Sequence, residues 1–420
     1  MPPLRHVYLD WNATTPPHPA VLDAMRAAAE VAWANPASVH GPGRRARAYV
    51  EEAREAIAAV IGLDARDVVL TSGGTEANNL ALALPFDLGA SAEKDHVAPQ
   101  RGAPSIDRGR GKGTDRDRAA PTPRDRADAT PRGPGAMLVS RIEHPSIVRA
   151  AEELARRGVR VEWIEPLPSG VVPASGFAEA ADRVAPETDV RLFVLQAVNH
   201  ETGVVQPVRE VASLAHARRA LLHVDAVQAV GRLDPSTWIG ADLVSVAAHK
   251  LRGPKGVGAL CTRPGLKIRP LLFGGAQERG LRPGTQDPIA CAGFAEAARR
   301  ARETPSIYAR VAILRDRLQA ALVELGALVN GDAPRAPHVL NVSWPGRRGD
   351  ELCAALDLEG VAVSSGSACS AGTAEPSPVI TAMLGRERAS SAVRISLGED
   401  TTEPDMERAL EAMRRVLARF

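Results

Sequence analysis

Four short stretches of the chain put reactive residue types at the ends of apolar runs. In HVDAVQ, His223 to Gln228, Asp225 closes a strand-like run. A carboxylate emerging among apolar neighbours needs a cationic partner, unless it merely caps the next helix. In SVAAHK, Ser245 to Lys250, a second such run ends in Lys250 and passes into the Gly-Pro turn of LRGPKGVGAL. Lysine is scarce in this chain, whose basic residues are overwhelmingly arginine. A lysine held between apolar residues and a tight turn suits Schiff-base chemistry. In LTSGGTEANN, Leu70 to Asn79, a strand meets Gly73 and Gly74 and then opens a helix. Free backbone N–H groups at such a helix start, with the Thr75 hydroxyl, form an anion site; the same pattern also serves as a turn with Thr75 as cap. In RIEHPSI, His144 sits at a strand end, where an imidazole can stack on a ring and move protons or simply cap a helix.

A phosphate cup, a carboxylate for a protonated pyridine nitrogen and an aldehyde-binding lysine are jointly what pyridoxal 5′-phosphate requires. A fifth stretch, SSGSACSAG, Ser364 to Gly372, carries Cys369 among small and polar residues with no second cysteine near. Such a thiol is either an inert turn residue or a nucleophile, and as a nucleophile its reactive form is the thiolate.

These residues need a frame that gathers strand ends. DVVLTSGG, AMLVSRIEH, VRVEWIEP, VRLFVLQAV, ALLHVDAVQ, ADLVSVAAHK and GVGALCT read as strands, and helical patterns such as SIVRAAEELARRG and VREVASLAHARRA separate several of them. Alternation of this kind predicts an α/β fold with a doubly wound, mainly parallel sheet, which binds ligands at the carboxyl ends of its strands. From about Lys267 the pattern changes to two long helices, short strands and a final helix from about Glu403, as in a smaller α+β domain. The expected division is a large cofactor-binding domain over 13–264 and a small domain made of 1–12 and 265–420, the latter carrying the Cys369 loop. Residues 89–136 hold many Gly, Pro, Arg and Asp and almost no bulky apolar side chain, so they read as a disordered insertion.

Composition narrows the classes. The chain has 420 residues, 45% of them apolar, and a net charge of +2, which gives no electrostatic footprint for nucleic acid. Its four cysteines form no CxxC pair, so neither a zinc site nor a disulfide framework is indicated, and few scattered thiols fit a reducing cytoplasm. The first residues lack the apolar run of a signal peptide. No uninterrupted apolar stretch reaches the roughly 18 residues of a membrane span, so no membrane association is expected. Cys261, Cys291 and Cys353 lie in strand or helix patterns and read as small core residues.

The ordered stretches YLDWNATTP, NPASVHGPGR, TSGGTEANN, EHPSI, NHETGVVQP, HVDAVQ, AHKLRGPKGVGAL, GGAQERGLRPGTQD, LNVSW, SSGSACSAG and VRISLG resemble the cysteine desulfurases of the class V aminotransferase group. The resemblance spans nearly the whole chain apart from 89–136. It implies the type I pyridoxal-phosphate transferase fold and a homodimer acting on L-cysteine to give L-alanine and a persulfide on Cys369. It further implies sulfur delivery to an acceptor or scaffold protein, for iron–sulfur clusters or thio-modification. Carried over by position, Lys250 forms the Schiff base, Asp225 pairs with the pyridine nitrogen, Gln228 lies near the ring hydroxyl and His144 stacks on the ring. Gly74, Thr75 and His249 contact the phosphate. Thr285 reaches the cofactor of the other subunit, and Asn35 and Arg394 hold the substrate carboxylate. Two positions depart from the family. Ala247 and Ala248 stand where a serine and a glycine are usual, which removes a hydroxyl from the phosphate cup. His200 stands where asparagine is usual beside the cofactor, and either bonds the ring hydroxyl or alters substrate scope. The run after Cys369 resembles the long catalytic loop of the scaffold-dependent group rather than the short loop of the selenocysteine lyases.

Overall fold

The computed structural model describes residues 6–86, 135–266, 269–332, 334–366 and 375–419. The expected insertion at 89–136 lies outside the described residues up to 134. Ala136 is already in a strand, so regular structure resumes at the last residue of that expected segment. Cys369 also lies outside the described residues.

The chain opens with β1 (Val7–Tyr8), α1 (Pro19–Val31) and α2 (Gly41–Ile61). Strands and helices then alternate: β2 (Val68–Thr71), α3 (Gly74–Ala83), β3 (Ala136–Ser140), α4 (Pro145–Arg156), β4 (Arg160–Ile164), α5 (Ala174–Val184), β5 (Val190–Val194) and α6 (Val208–Ala217). Next come β6 (Leu221–Asp225), β7 (Leu243–Ala247) and β8 (Gly258–Thr262). The strands form one seven-stranded sheet in the order β2-β8-β7-β6-β5-β3-β4. Every neighbouring pair is parallel except the two made by β8.

The central strands are apolar along their length because both faces of the sheet are covered. Their side chains divide with the period of two expected of a pleated strand. Leu138, Phe193, Leu222, Val224, Val244 and Val246 join one buried cluster, and Met137, Val139, Leu192, Val194 and Leu243 join another. A one-residue slip in any of these strands would exchange the two sets.

The remaining elements are α7 (Pro288–Ala301), α8 (Thr304–Glu324), β9 (Leu328–Val329), β10 (Val339–Ser343), α9 (Gly349–Leu358), β11 (Val361–Ala362), α10 (Pro378–Leu384), α11 (Arg386–Ser390), β12 (Ala392–Ser396) and α12 (Glu403–Leu417). A second sheet has the order β12-β10-β9, and β1 pairs in parallel with β11. Leu9, Leu318, Leu340, Val342, Val393, Ile395 and Met413 belong to a third cluster around this sheet. Among the described residues, no helix is long and apolar enough to cross a membrane, and no group of His, Cys, Asp and Glu could hold a metal ion.

One buried ion pair ties the start of the large sheet to the segment before α7. Arg54 of α2 reaches Glu278 with both arms of its guanidinium. The carboxylate also accepts from Leu70 N at 2.9 Å and from Gln286 Nε2 at 2.7 Å. Glu278 and its neighbour Arg279 hold φ of 50° and 58°, a left-handed conformation that costs a branched backbone of this kind about 1–2 kcal/mol per residue. The four hydrogen bonds to Glu278 hold that turn in place. Removing the charge would leave buried Arg54 with only the more exposed Glu51 as an anionic partner, so Glu278→Gln is expected to destabilise the fold by about 2 kcal/mol or more, read as a lower midpoint of urea unfolding.

Candidate active site

The carboxyl ends of β2, β3, β5, β6 and β7 point to one edge of the sheet, as parallel strands must. There they border a cavity of about 180 Å³. Each strand end delivers part of the lining. β2 leads to Gly74 and Thr75, β3 to His144, β5 to Gln196 and His200, β6 to Asp225 and Gln228, and β7 to Ala247, His249 and Lys250. All of these except Gln196 are among the residues expected from the sequence. Three other expected residues lie elsewhere. Asn35 is exposed, with its side chain accepting from Ala37 N at 2.9 Å, and Thr285 is exposed before α7. Arg394 is buried on β12, outside the cavity lining, and its guanidinium donates to Asp10 Oδ1 at 2.8 Å and to the His200 carbonyl at 3.2 Å.

Asp225 is buried at the end of β6. Its Oδ1 accepts from Val227 N at 3.0 Å and its Oδ2 from Asn78 Nδ2 at 2.9 Å. Two donors leave each oxygen with spare lone-pair capacity, which a pyridine N–H directed from the cavity can use. Glu143 lies close by, fully buried, with Oε1 accepting from Gln196 N at 2.8 Å. Burial, opposed by that hydrogen bond and aided by the charge of Asp225, pushes the Glu143 carboxyl up to about 8. It is therefore mostly protonated at neutral pH, and Asp225 supplies the negative charge.

Lys250 ends the 3-10 turn Ala248–Lys250 that follows β7. The turn is fixed by close packing, since a Cβ on Gly253 would lie 2.8 Å from the Ala248 carbonyl oxygen. Lys250 Nζ donates to the Ala13 carbonyl at 2.9 Å and to the Asn12 carbonyl. Burial, with the charges of Arg394 and Arg232, brings its pKa down to about 7. The free amine, which is the nucleophile toward an aldehyde, is thus well populated near neutrality.

The start of α3 meets the requirement for a phosphate. Gly73 has φ of 154° and no atom within 4 Å of where its Cβ would be, which leaves room for a ligand to approach the backbone at the helix N-terminus. Glu76 in that first turn is neutralised by Arg282, whose Nε donates to it at 3.0 Å. His249 accepts or donates at Nδ1 with Thr14 Oγ1 at 3.1 Å, and burial holds its pKa down to about 4.

Two imidazoles face each other across the cavity, His144 and His200, with ring centroids 5.3 Å apart and nearly perpendicular. His144 caps α4, and its Nδ1 accepts from Ser146 N at 3.2 Å and lies 2.8 Å from Ser146 Oγ. His200 Nδ1 lies 3.3 Å from Gln196 Oε1. Burial lowers the pKa of His144 and drops that of His200 well below the usual value, so both rings are neutral near pH 7.

A family model, Aminotransferase class-V, matches residues 7–98 and 127–409. The chain belongs to the class V aminotransferase family. The stretch this match omits falls inside the expected insertion. Over 426 residues the chain is 35% identical to "Putative cysteine desulfurase IscS 1" of Bacillus subtilis, covering 99% of this chain and 100% of that protein. It is similar in structure to a "NIFS-LIKE PROTEIN" at 30% identity and a TM-score of 0.79, over 99% of this chain and 100% of the other. It is also similar to "SspA in complex with cysteine" at 25% identity and a TM-score of 0.69, over 94% and 99% of the two chains. Enzymes of this family are pyridoxal-phosphate enzymes, and the donor set here fits that group: a buried anion with spare acceptor capacity, an amine of lowered pKa and an open helix N-terminus.

Asn78, Ser146, Glu143 and Gln196 escaped the sequence reading. Asn78 carried a usable signal, because it lies four residues after Gly74 on the same helix face. Ser146 follows the His144-Pro145 start of α4, where a short hydroxyl side chain can fold back on the cap. Glu143 and Gln196 become visible only when β3 and β5 are seen side by side.

The lowered Lys250 pKa gives a measurable consequence. The rate at which apo protein takes up pyridoxal phosphate should rise through about pH 7 and level off by about pH 8. An ordinary lysine would keep accelerating toward pH 10. Absorbance of the bound chromophore reports the rate, and Lys250→Ala should show no such uptake.

Proposed function

We propose that the chain is a pyridoxal-phosphate-dependent cysteine desulfurase that converts L-cysteine to L-alanine and leaves the sulfur as a persulfide on Cys369. The observation that carries this reading is the convergence of Asp225, Lys250, His144 and the α3 N-terminus on one cavity, in a chain similar along its whole length to desulfurases. When bound, the cofactor supplies an electron sink for the carbon from which sulfur departs. Lys250 holds its aldehyde and afterwards offers Nζ as a proton carrier. Asp225 keeps the pyridine nitrogen protonated, Gln228 stands beside the ring, and Gly74, Thr75 and His249 take the phosphate. Ala247 in that cup brings no hydroxyl, so the backbone donors of α3 bear more of the phosphate binding.

The substrate carboxylate is assigned to Arg394 and Asn35. Arg394 is bound to Asp10, so substrate binding requires one guanidinium arm to exchange partners. The Cys369 thiolate attacks the substrate sulfur. The carbon–sulfur bond breaks, a sulfur–sulfur bond forms, and the carbon takes up a proton to give alanine. His144 is assigned the handling of protons at the ring face, and His200 is placed to shape the site beside it.

A homodimer completes the reading. Trp33, Val39 and Phe273 are 71%, 85% and 92% exposed, on the loops that carry Asn35 and lead to Thr285. A second copy covering them would bring Thr285 toward the partner's phosphate cup. The cluster around the second sheet, which joins Val7 and Leu9 to Leu340, Val393 and Met413, supports a large domain over 13–264 and a small domain of 1–12 and 265–420, while Cys291, Phe294 and Ile380 pack into the core of the large sheet. An acceptor or scaffold protein then receives the persulfide sulfur, for iron–sulfur clusters or thio-modification.

The test is sulfide and alanine formation from L-cysteine with a thiol reductant. The wild type should form both in equal amounts. Cys369→Ala should keep the chromophore of the bound cofactor and lose turnover. A variant that turned over as fast as the wild type would sink the assignment and leave a different pyridoxal-phosphate reaction.

A further inference from the structure

The side chain that sets the state of His144 lies one layer behind the cavity. Asn78 has two amide hydrogens. One goes to Asp225 Oδ2 and the other to Ser146 Oγ, each at 2.9 Å. Ser146 Oγ lies 2.8 Å from His144 Nδ1, and Ser146 N donates to that same nitrogen at 3.2 Å. Asn78 is 1% exposed and Ser146 9%, so water does not compete strongly for these bonds.

The directions of these bonds follow from donor counting. Asn78 Nδ2 can only donate, so Ser146 Oγ accepts there. The Ser146 backbone N–H can only donate, so His144 Nδ1 must present its lone pair. The serine hydroxyl hydrogen is then left pointing at Nδ1. Two links run the same way, from amide to hydroxyl to imidazole, and bonds aligned in this manner polarise one another. A proton on Nδ1 would face the backbone N–H of Ser146 and reverse the hydroxyl.

We propose that Ser146, itself held by Asn78, is a positioning residue that locks His144 as the neutral ring with its hydrogen on Nε2. The imidazole thereby enters the reaction as a hydrogen-bond donor at Nε2, and it is linked through Ser146 to Asn78, which also holds Asp225. This inference rests on the desulfurase reading for its catalytic consequence and on geometry alone for the tautomer. Other charged or titratable groups act on His144 from the surrounding elements. Asp225 of β6 favours its cation, and Lys250 after β7 and Arg394 of β12 oppose it. His200 after β5 contacts its ring, and His249 lies in the same lining. A change at Ser146 touches none of them directly, and reaches Asp225 only through the shared Asn78 amide.

The experiment is nitrogen NMR of the full chain labelled at histidine, with and without pyridoxal phosphate, His144 being identified by its absence in His144→Gln. The wild type should show His144 with hydrogen on Nε2. Ser146→Ala removes one donor to the neutral ring, so the His144 pKa should move up by about half a unit or more. The acid limb of kcat/KM for L-cysteine should move up with it, and Ser146→Thr, which keeps the hydroxyl, should restore both. If Ser146→Ala does not fold, Ser146→Cys, with its weak S–H donor, must give a shift of the same sign. A wild-type His144 carrying hydrogen on Nδ1, or a loss of the hydroxyl that leaves both pKa and acid limb in place, overturns the proposal. A wild type that forms no sulfide would instead sink the desulfurase reading, because the tautomer measurement needs no turnover.

Discussion

A carboxylate kept charged inside the sheet edge governs the arrangement of the site. Asp225 is removed from bulk water, so its charge must be met by donors within the fold. Val227 N provides one from its own chain turn, and Asn78 provides the other from α3. That second bond requires α3 to lie across the end of β6, and it brings the open N-terminus of α3 to the same cavity. The two groups proposed to take the phosphate and the pyridine nitrogen are thus placed by one contact. The protonated state of Glu143 belongs to the same balance, since a second anion beside Asp225 would oppose the first.

The position of Lys250 depends on a different constraint. β7 and β8 form one of the two antiparallel pairs of an otherwise parallel sheet, and Lys250 stands just where the chain leaves β7 to turn back. Arg252, with φ of 60°, is held in this turn by Thr15 Oγ1 accepting from its backbone N–H at 2.9 Å and by Asp400 at 2.9 Å. The N-terminal stretch therefore backs the lysine, and its carbonyls at Asn12 and Ala13 receive the amine. The same stretch bonds to β12, with Ser396 Oγ accepting from Asn12 N at 2.9 Å. The second sheet is in this way registered against the lysine, so Arg394 on β12 can influence it without lining the cavity.

Much of this was legible in the sequence because strand ends and turns carry chemical punctuation. HVDAVQ, SVAAHK and LTSGGTEANN each end an apolar run with a polar group, and the sheet gathers those ends by its parallel topology alone. The helices α10 and α11 were not legible, because seven and five residues are too few to show a period, whereas α5 carried an apolar stripe at Phe177, Ala180, Ala181 and Val184 that was legible and went unused. The second layer of the site was illegible for a stronger reason. Asn78, Ser146 and Gln196 are ordinary polar residues in their own segments, and their roles arise from pairings between segments 50 to 150 residues apart, of which Asn78 with Asp225 is one, separated by 147. Asn35 and Thr285 show the converse: their expected roles came from resemblance, and within one chain both are exposed.

The proton inventory of the cavity follows from these contacts. His200 and His249 are held neutral by burial, and Glu143 holds its proton for the same reason. Asp225 accepts from two donors. Lys250 is left as the basic group whose charge changes near neutrality. Burial moves the three histidines further below pH 7 and brings Glu143 and Lys250 toward it, each in the direction that favours the neutral form. Proton movement is then confined to Lys250 Nζ and to the ring nitrogen that His144 presents, and the identity of that nitrogen is decided behind the cavity, by which atoms of α4 and α3 its other side meets.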